Sequence, residues 1–181
     1  MKQKLVMLFS MLSLTAVLVV NEAKSAQTLL VSLSTVQIPS TGQFVAKKYF
    51  TADSKEVNIA WLGDNFRQHF ISKVEEPQAE VELRISRLKK ASLDAPILAE
   101  LGSKAETSLA NIWQMLKKQP NGESGKLLTN GYMNIFYVRD AKGVLRAVDV
   151  HWSSDGWHVR AYSVTYPIEW SEGYQVFSRN F

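Results

Sequence analysis

Residues 132–164 read YMNIFYVRDAKGVLRAVDVHWSSDGWHVRAYSV, and this stretch decides the fold. It contains three runs rich in aromatic and β-branched residues: Tyr132–Arg139, Val144–Trp152 and Trp157–Val164. Two short loops separate the runs, Asp140–Gly143 and Ser153–Gly156, and both end in glycine. Short glycine-containing loops between runs of this composition are typical of β-hairpins. The stretch therefore predicts three consecutive antiparallel strands.

Further strands are predicted on both sides of these hairpins. Val81, Leu83 and Ile85 alternate with polar residues, which is the pattern of a half-buried strand. The other strand-like stretches are Gln27–Ile38, Gln43–Phe50, Glu56–Trp61 and, as a fourth C-terminal strand, Tyr174–Arg179.

The segment between Gly102 and Pro120 predicts the longest helix. Ser103 and Glu106 have the S-x-x-E spacing of a capping box. An apolar stripe follows at helical spacing: Ala105, Leu109, Ile112, Trp113 and Leu116. Shorter helices are predicted after Asp64 and after Asp94. The chain is thus predicted to be an α+β domain, with a mainly antiparallel sheet and a C-terminal meander of three to four strands. That sheet would pack on one long amphipathic helix and one or two shorter helices.

The first 26 residues have the order of features that a signal peptidase recognises. Lys2 and Lys4 precede an apolar run, Leu5–Val20, and a short polar region with small residues follows up to Ala26. Sixteen apolar residues fall short of the roughly 20 that a membrane-spanning helix needs. We therefore predict a cleavable signal peptide at 1–26 and a single α+β domain at 27–181. The alternative is an uncleaved N-terminal anchor.

Composition narrows the class of protein further. The chain contains no cysteine, so disulfides, thiolate metal sites and a lipid-modified cysteine are excluded. A cysteine-free exported domain is typical of a bacterial periplasmic or secreted protein. Removal of residues 1–26 lowers the net charge from +4 to about +2, and no basic run with interleaved aromatics remains. Neither a nucleic-acid partner nor a transmembrane span is predicted for the mature chain.

Even-numbered hairpin loops would fix which side chains share a face of the sheet. One face would be apolar, with Met133, Ile135 and Tyr137 beside Val148, Val150, Trp152 and Trp157. The opposite face would carry the candidate ligand-binding residues, which are Tyr132, Asn134, Asp149, His151, His158 and Arg160. Four-residue loops would place Asn134 beside Asp149, Asp149 beside Arg160, and His151 beside His158, within side-chain reach.

Three interpretations of this polar face remain open. It is a solvated ion pair of Asp149 and Arg160 with two unrelated histidines, a binding surface for a small ligand or peptide, or a catalytic or metal site. His151, His158 and Asp149 have ligand types suited to zinc or to acid–base chemistry. Their spacing matches no metal-binding signature, and no nucleophile or phosphate-loop motif occurs. We therefore assign no cofactor, metal ligand or catalytic residue.

The sequence thus predicts an exported bacterial envelope or secreted protein that binds a small molecule or another protein and has no enzymatic activity. The alternative is a small hydrolase or metal-dependent enzyme that uses His151, His158 and Asp149. Among the tryptophans, Trp170 is expected to be the most exposed, because it lies in a loop after Pro167.

Overall fold

The computed structural model describes residues 28–181, so the predicted signal peptide at 1–26 lies outside the described residues. The strands are β1 (Leu30–Ile38), β2 (Phe44–Val45), β3 (Ile59–Leu62), β4 (Val74–Glu75), β5 (Val81–Leu88), β6 (Glu106–Thr107), β7 (Asn134–Arg139), β8 (Leu145–Ser153), β9 (Gly156–Ser163) and β10 (Gln175–Arg179). The helices are α1 (Ala46–Tyr49), α2 (Asp64–Phe70), α3 (Asp94–Leu101) and α4 (Leu109–Lys117), with a 3₁₀ turn at Gly102–Lys104.

One mixed sheet dominates the fold. Its strand order is β1-β5-β10-β7-β8-β9-β3, and β6 adds to β7. Three of its pairings are parallel: β10 with β7, β3 with β9, and β6 with β7. The prediction of a mainly antiparallel sheet is therefore wrong. β10 does not extend the C-terminal meander beyond β9 but lies between β5 and β7, where it pairs antiparallel with one and parallel with the other.

The prediction of one long helix is also wrong, because α4 is only nine residues long. Its capping box is formed by Ser108 and Asn111, whose side chains each accept from the other's backbone N–H at 3.1–3.2 Å. Ser103 lies in the 3₁₀ turn, and Glu106 lies in β6 opposite Tyr137. Pairing with β7 keeps Glu106 and Thr107 extended, so the helix begins five residues later than the local pattern indicates. The apolar stripe from Leu109 onward is buried as expected.

The first C-terminal hairpin has a different register from the predicted one. Arg139 pairs with Leu145, so the loop Asp140–Val144 contains five residues instead of four. The Asp140 Oδ1 atom accepts from the backbone N–H groups of Lys142 and Val144 at 2.8 and 3.0 Å, which stabilises this longer turn. One extra residue reverses the sidedness of β7 relative to β8. Phe136 and Val138 therefore share a face with Val148, whereas Met133 and Ile135 lie on the opposite face.

The second hairpin has the predicted register. Ser153 pairs with Gly156 around the two-residue turn Ser154–Asp155. Gly156 has φ +145° and lies against the backbone of Asn58, so a side chain there would collide. This turn aligns β8 and β9 and thereby positions the candidate site.

Both faces of the sheet are covered. On one face, the buried side chains of α2 and α4 pack on the central strands: Phe66, Phe70, Leu109, Ile112, Trp113, Leu116, Phe136, Val148, Val150, Trp157, Val159 and Phe177. A smaller cluster lies under α3 on the other face: Leu88, Ile97, Ile135, Tyr137, Ala147, Trp170 and Val176. None of the helices in residues 28–181 is both long and apolar enough to cross a membrane.

Packing corrects one further local prediction and also explains how α4 is anchored. Residues 43–50 form β2 followed by α1 instead of one strand, and the ring of Phe44 stacks on Tyr49 at 4.5 Å. Glu75 is nearly buried, and its carboxylate accepts from the N–H groups of Leu109 and Ala110 at 3.0 and 2.9 Å. An acidic side chain at a helix N-terminus satisfies otherwise unpaired donors. Glu75 therefore fixes α4 to β4.

Candidate functional site

The candidate site lies on the face of the sheet that carries α3, at the end of the hairpin formed by β8 and β9. Asp149 pairs with Arg160 and His151 pairs with His158 across these strands, as the sequence predicts. Neighbouring side chains on one face of an antiparallel pair are within reach of each other. The second hairpin therefore brings four of the six candidate residues together.

Asp149 and Arg160 form a partly buried ion pair. The carboxylate of Asp149 is fully buried, whereas the Arg160 side chain keeps about a quarter of its surface (28%) exposed. The Nε atom of Arg160 donates to Oδ2 at 3.1 Å, and Nη2 donates to Oδ1 at 3.0 Å. Burial alone would lower the pKa of Arg160, but the charge of Asp149 and its hydrogen bonds raise it. The two-point contact holds the guanidinium in one orientation.

The Arg160 side chain also lines a shallow cavity. Nη2 also contacts the Met133 sulfur at 3.0 Å, and Nη1 has no hydrogen-bond partner among residues 28–181. The cavity has a volume of about 290 Å³ and is lined by Trp61, Gly63, Asp64, Asn65, Arg160 and Tyr162. Trp61 is 42% exposed although it is a large apolar side chain. The lining of this cavity thus combines one fixed arginine side chain with two aromatic side chains.

Each histidine has its own carboxylate partner. His151 Nδ1 lies 3.2 Å from Asp149 Oδ1, and His158 Nε2 lies 2.8 Å from Asp155 Oδ1. The hydrogen bond from His158 holds the pKa of Asp155 below its usual range. The two imidazole centroids are 5.2 Å apart, and the ring of Trp61 lies 5.7 Å from that of His158. The histidines and the Arg160 cavity thus form one continuous strip of the sheet face.

Asn134 is not brought to this site, because of the altered hairpin register. It faces Val150 instead of Asp149, is fully buried, and lies on the opposite face. Its side-chain amide donates to the carbonyls of Leu128 and Val150, both at 3.0 Å, and its oxygen accepts from Leu128 N–H at 2.8 Å. These contacts give Asn134 a structural role.

Tyr132 precedes β7 and lies beside the loop before β10. It is 45% exposed and packs edge-to-face on Tyr174, with ring centroids 5.5 Å apart. It does not line the cavity beside Arg160.

No protein-family model, curated protein or solved structure matches this chain. Its function must therefore be argued from its own geometry. Among residues 28–181, no group of three or more histidine, aspartate or glutamate side chains is arranged to hold a metal ion. Asp149, the third ligand of the metal alternative, is instead engaged by Arg160 and His151.

A larger cavity of about 670 Å³ lies beside α3. Its walls include Leu29, Leu93 and Pro96. The one α3 carboxylate on this wall, Glu100, already accepts from the N–H groups of Leu29 and Leu30 at 2.6 and 3.1 Å. Its lining also includes Lys90 and Glu169, so this cavity has charged as well as apolar walls.

The sequence interpretation missed the residues that complete the site. Trp61 comes from β3, which joins the sheet by parallel pairing with β9. Met133 reaches Arg160 because the side chains of β7 face the opposite sides of the sheet from those predicted. Tyr162 follows Arg160 by two residues and so shares its face of β9. The alternation of β9 already placed Tyr162 on the polar face, and that pattern was the one available signal.

Behind the site, Asp94 joins α3 to the sheet. Its Oδ1 atom accepts from the Tyr137 hydroxyl and from Trp170 Nε1, both at 2.7 Å. Trp170 is therefore buried, and the expectation that it is the most exposed tryptophan is wrong. The second oxygen of Asp94 has no hydrogen-bond partner among residues 28–181. Burial, the largest influence, raises the pKa of Asp94 despite these two donors.

The raised pKa of Asp94 predicts a pH-dependent contribution to stability. The folded state binds this proton more tightly than the unfolded chain, whose aspartate pKa is about 3.9. The resulting stability is fully present below that value and is lost as the pH rises through the raised pKa. We expect the free energy of unfolding of wild type minus that of Asp94→Asn to fall over this window and then to level off.

Urea unfolding at a series of pH values measures this difference. Asp53→Asn, at an exposed loop position, is the matched control. A difference between wild type and Asp94→Asn that stays constant across the series would contradict the prediction.

Proposed function

We propose that this is an exported, non-enzymatic binding protein of a bacterial envelope or of the extracellular medium, and that it holds a small polar ligand beside Arg160. The observation that carries the binding proposal is the partly buried Arg160 side chain, which Asp149 holds in place and which lines a cavity together with Trp61 and Tyr162. Export is supported by the basic, apolar and small-residue order of residues 1–26. N-terminal sequencing of the protein from a bacterial periplasm tests it, and a chain that still begins at Met1 contradicts cleavage.

The chemistry of the cavity defines the ligand class. A free guanidinium edge donates to carboxylate, phosphate, carbonyl or hydroxyl oxygens. Asp64 and Asn65 on the same wall can accept from ligand hydroxyl or amide groups. Trp61 and Tyr162 supply flat apolar surface at low cost in side-chain entropy. A ligand with several hydroxyl or amide groups around a small apolar face fits this set better than a purely ionic one.

The enzyme alternative finds less support in the same contacts. A general base must be within hydrogen-bond reach of the proton that it removes. Both oxygens of Asp149 already accept from Arg160, and Oδ1 also contacts His151. Since this carboxylate is fully buried, it is better placed to orient Arg160 and His151 than to meet a substrate.

A binding screen with three defined probes tests the proposal. N-acetylglucosamine, succinate and inorganic phosphate represent amide-bearing sugars, carboxylates and phosphates, and thermal shift followed by calorimetry measures their binding. We expect at least one probe to bind, and the Trp61→Ala variant to bind it at least tenfold more weakly. Trp61 is exposed, so its removal leaves the core intact.

Phe181→Ala is the matched control, because Phe181 is also an exposed aromatic residue but lies outside the cavity. Its affinity for the probe should equal that of wild type. Failure of all three probes to bind wild type, or equal binding by Trp61→Ala, would contradict a small-ligand site beside Arg160.

A further inference from the structure

We propose that His151 and His158 together bind one divalent transition-metal ion, with Cu(II) bound most tightly. The ligand atoms are Nε2 of His151 and Nδ1 of His158. This inference goes beyond the ligand site beside Arg160 and does not depend on it, because it uses neither the Arg160 donor nor the cavity.

The spacing of the two rings suits a single ion. The residues are direct cross-strand partners, and their ring centroids are 5.2 Å apart with an interplanar angle of 60°. A metal–nitrogen bond of about 2.0–2.1 Å puts each ring centroid about 3.2 Å from the ion. The centroids of two imidazoles are then about 4.5 Å apart at the 90° angle of a square-planar Cu(II) site and about 5 Å apart at a near-tetrahedral angle. The backbone register thus keeps the two ring centroids at a separation close to what one shared ion requires.

The second nitrogen of each ring is bonded as it is in protein metal sites. Ligating histidines almost always donate their other N–H to a carboxylate, carbonyl or water. Here Asp149 accepts from His151 Nδ1 and Asp155 accepts from His158 Nε2. Because a carboxylate only accepts, a neutral imidazole in such a bond carries its proton on the bonded nitrogen and has a lone pair on the other. Both imidazoles are therefore held in the tautomer that binds a metal.

The surroundings leave the ion accessible and decide its identity. The side chains of His151 and His158 are 14% and 22% exposed, so an ion can reach them from solvent. No third histidine or carboxylate among residues 28–181 completes a closed site, so water molecules would fill the remaining positions. Imidazole suits copper, zinc and nickel, and Cu(II) lies at the top of the affinity order of the divalent ions.

Titration of the untagged full chain with CuCl₂ tests the proposal by calorimetry and electron paramagnetic resonance. We expect one equivalent to bind, with hyperfine coupling to two imidazole nitrogens. His151→Gln and His158→Gln should each weaken binding at least tenfold and leave one coupled nitrogen. An arm with ZnCl₂ should show weaker binding with the same dependence on both residues.

His69 provides the matched control, because the chain has three histidines. His69 also has a carboxylate neighbour, since its Nδ1 lies 3.7 Å from Asp140 Oδ2. His69→Gln should bind Cu(II) as wild type does. The proposal is overturned if wild type takes up no stoichiometric copper, or if the His151→Gln/His158→Gln double variant binds it equally well. Circular dichroism of each variant confirms that the fold is retained.

Discussion

Replacement of Trp157 by alanine is expected to lower the free energy of unfolding by about 3–5 kcal/mol, the usual range for a fully buried large aromatic. Trp157 is 0% exposed and lies in the main core beneath α4. Its indole Nε1 donates to the carbonyl of Gln119 at 2.8 Å, and its ring meets Trp152 edge-to-face at 5.5 Å. Truncation leaves a cavity, removes the hydrogen-bond partner of the Gln119 carbonyl and frees the segment that follows α4. The costs of these changes add.

Urea unfolding followed by far-ultraviolet circular dichroism measures this loss without depending on tryptophan fluorescence. Trp61→Ala is the control, because it removes the same side chain from an exposed position of the neighbouring strand. It should cost less than about 1 kcal/mol, as is usual for surface substitutions. A loss at Trp157 no larger than that at Trp61 would show that Trp157 does not belong to the core.

The contrast between these two tryptophans shows what local patterns can predict. Trp157 is the second residue of β9, directly after the Ser154–Asp155 turn and Gly156, so its place on the apolar face of β9 follows from alternation alone. Trp61 lies in a short strand whose partner, β9, is almost 100 residues away in sequence and parallel to it. Local alternation does not contain that pairing, so the exposure of Trp61 beside His158 could not be anticipated.

Two of the errors in the fold have different origins. Ser103 and Glu106 match the capping-box pattern as well as the residues that do cap α4, and the competing structure is the pairing of β6 with β7. In the first hairpin, the Asp140 carboxylate accepts hydrogen bonds from two backbone N–H groups and so stabilises a turn that is one residue longer than predicted. The first outcome depends on a pairing between distant segments, which a short window of sequence does not contain. The second depends on bonds within five consecutive residues, which the local sequence could have indicated. The buried stripe of α4 and the strands of the meander were predictable because periodicity alone determines them.

The same limit applies to the candidate site. The pairs Asp149–Arg160 and His151–His158 follow from the second hairpin, whose even loop fixes its register. The complete burial of Asp149 does not follow from the hairpin, because it results from packing by other segments of the chain. Tertiary structure therefore decides whether the pair is a solvated surface contact or a buried anchor. That difference determines how much stability is lost when Asp149 is replaced.

Replacement of Asp149 by alanine is expected to cost about 3–5 kcal/mol, because removal of one partner leaves the other charge half-buried and unpaired. The guanidinium of Arg160 would lose three hydrogen bonds within 3.2 Å and retain the Met133 sulfur. Asp149→Asn keeps the shape and one acceptor, so its loss should be smaller. Urea unfolding of the three proteins at pH 7 gives the comparison.

A double-mutant cycle with Arg160→Met separates the ion pair from general disruption of the strand. Arg160→Met alone leaves the buried carboxylate of Asp149 without its cationic partner, so it should also lower the free energy of unfolding strongly. The double variant Asp149→Ala/Arg160→Met removes both charges together. Replacement of a buried ion pair by apolar groups is often neutral. The loss of unfolding free energy in the double variant should therefore be smaller than the sum of the two single losses by about 2 kcal/mol or more. Additive losses would mean that Asp149 does not hold Arg160. In that case the guanidinium would have no fixed orientation, and the ligand site proposed beside it would lose its main physical basis.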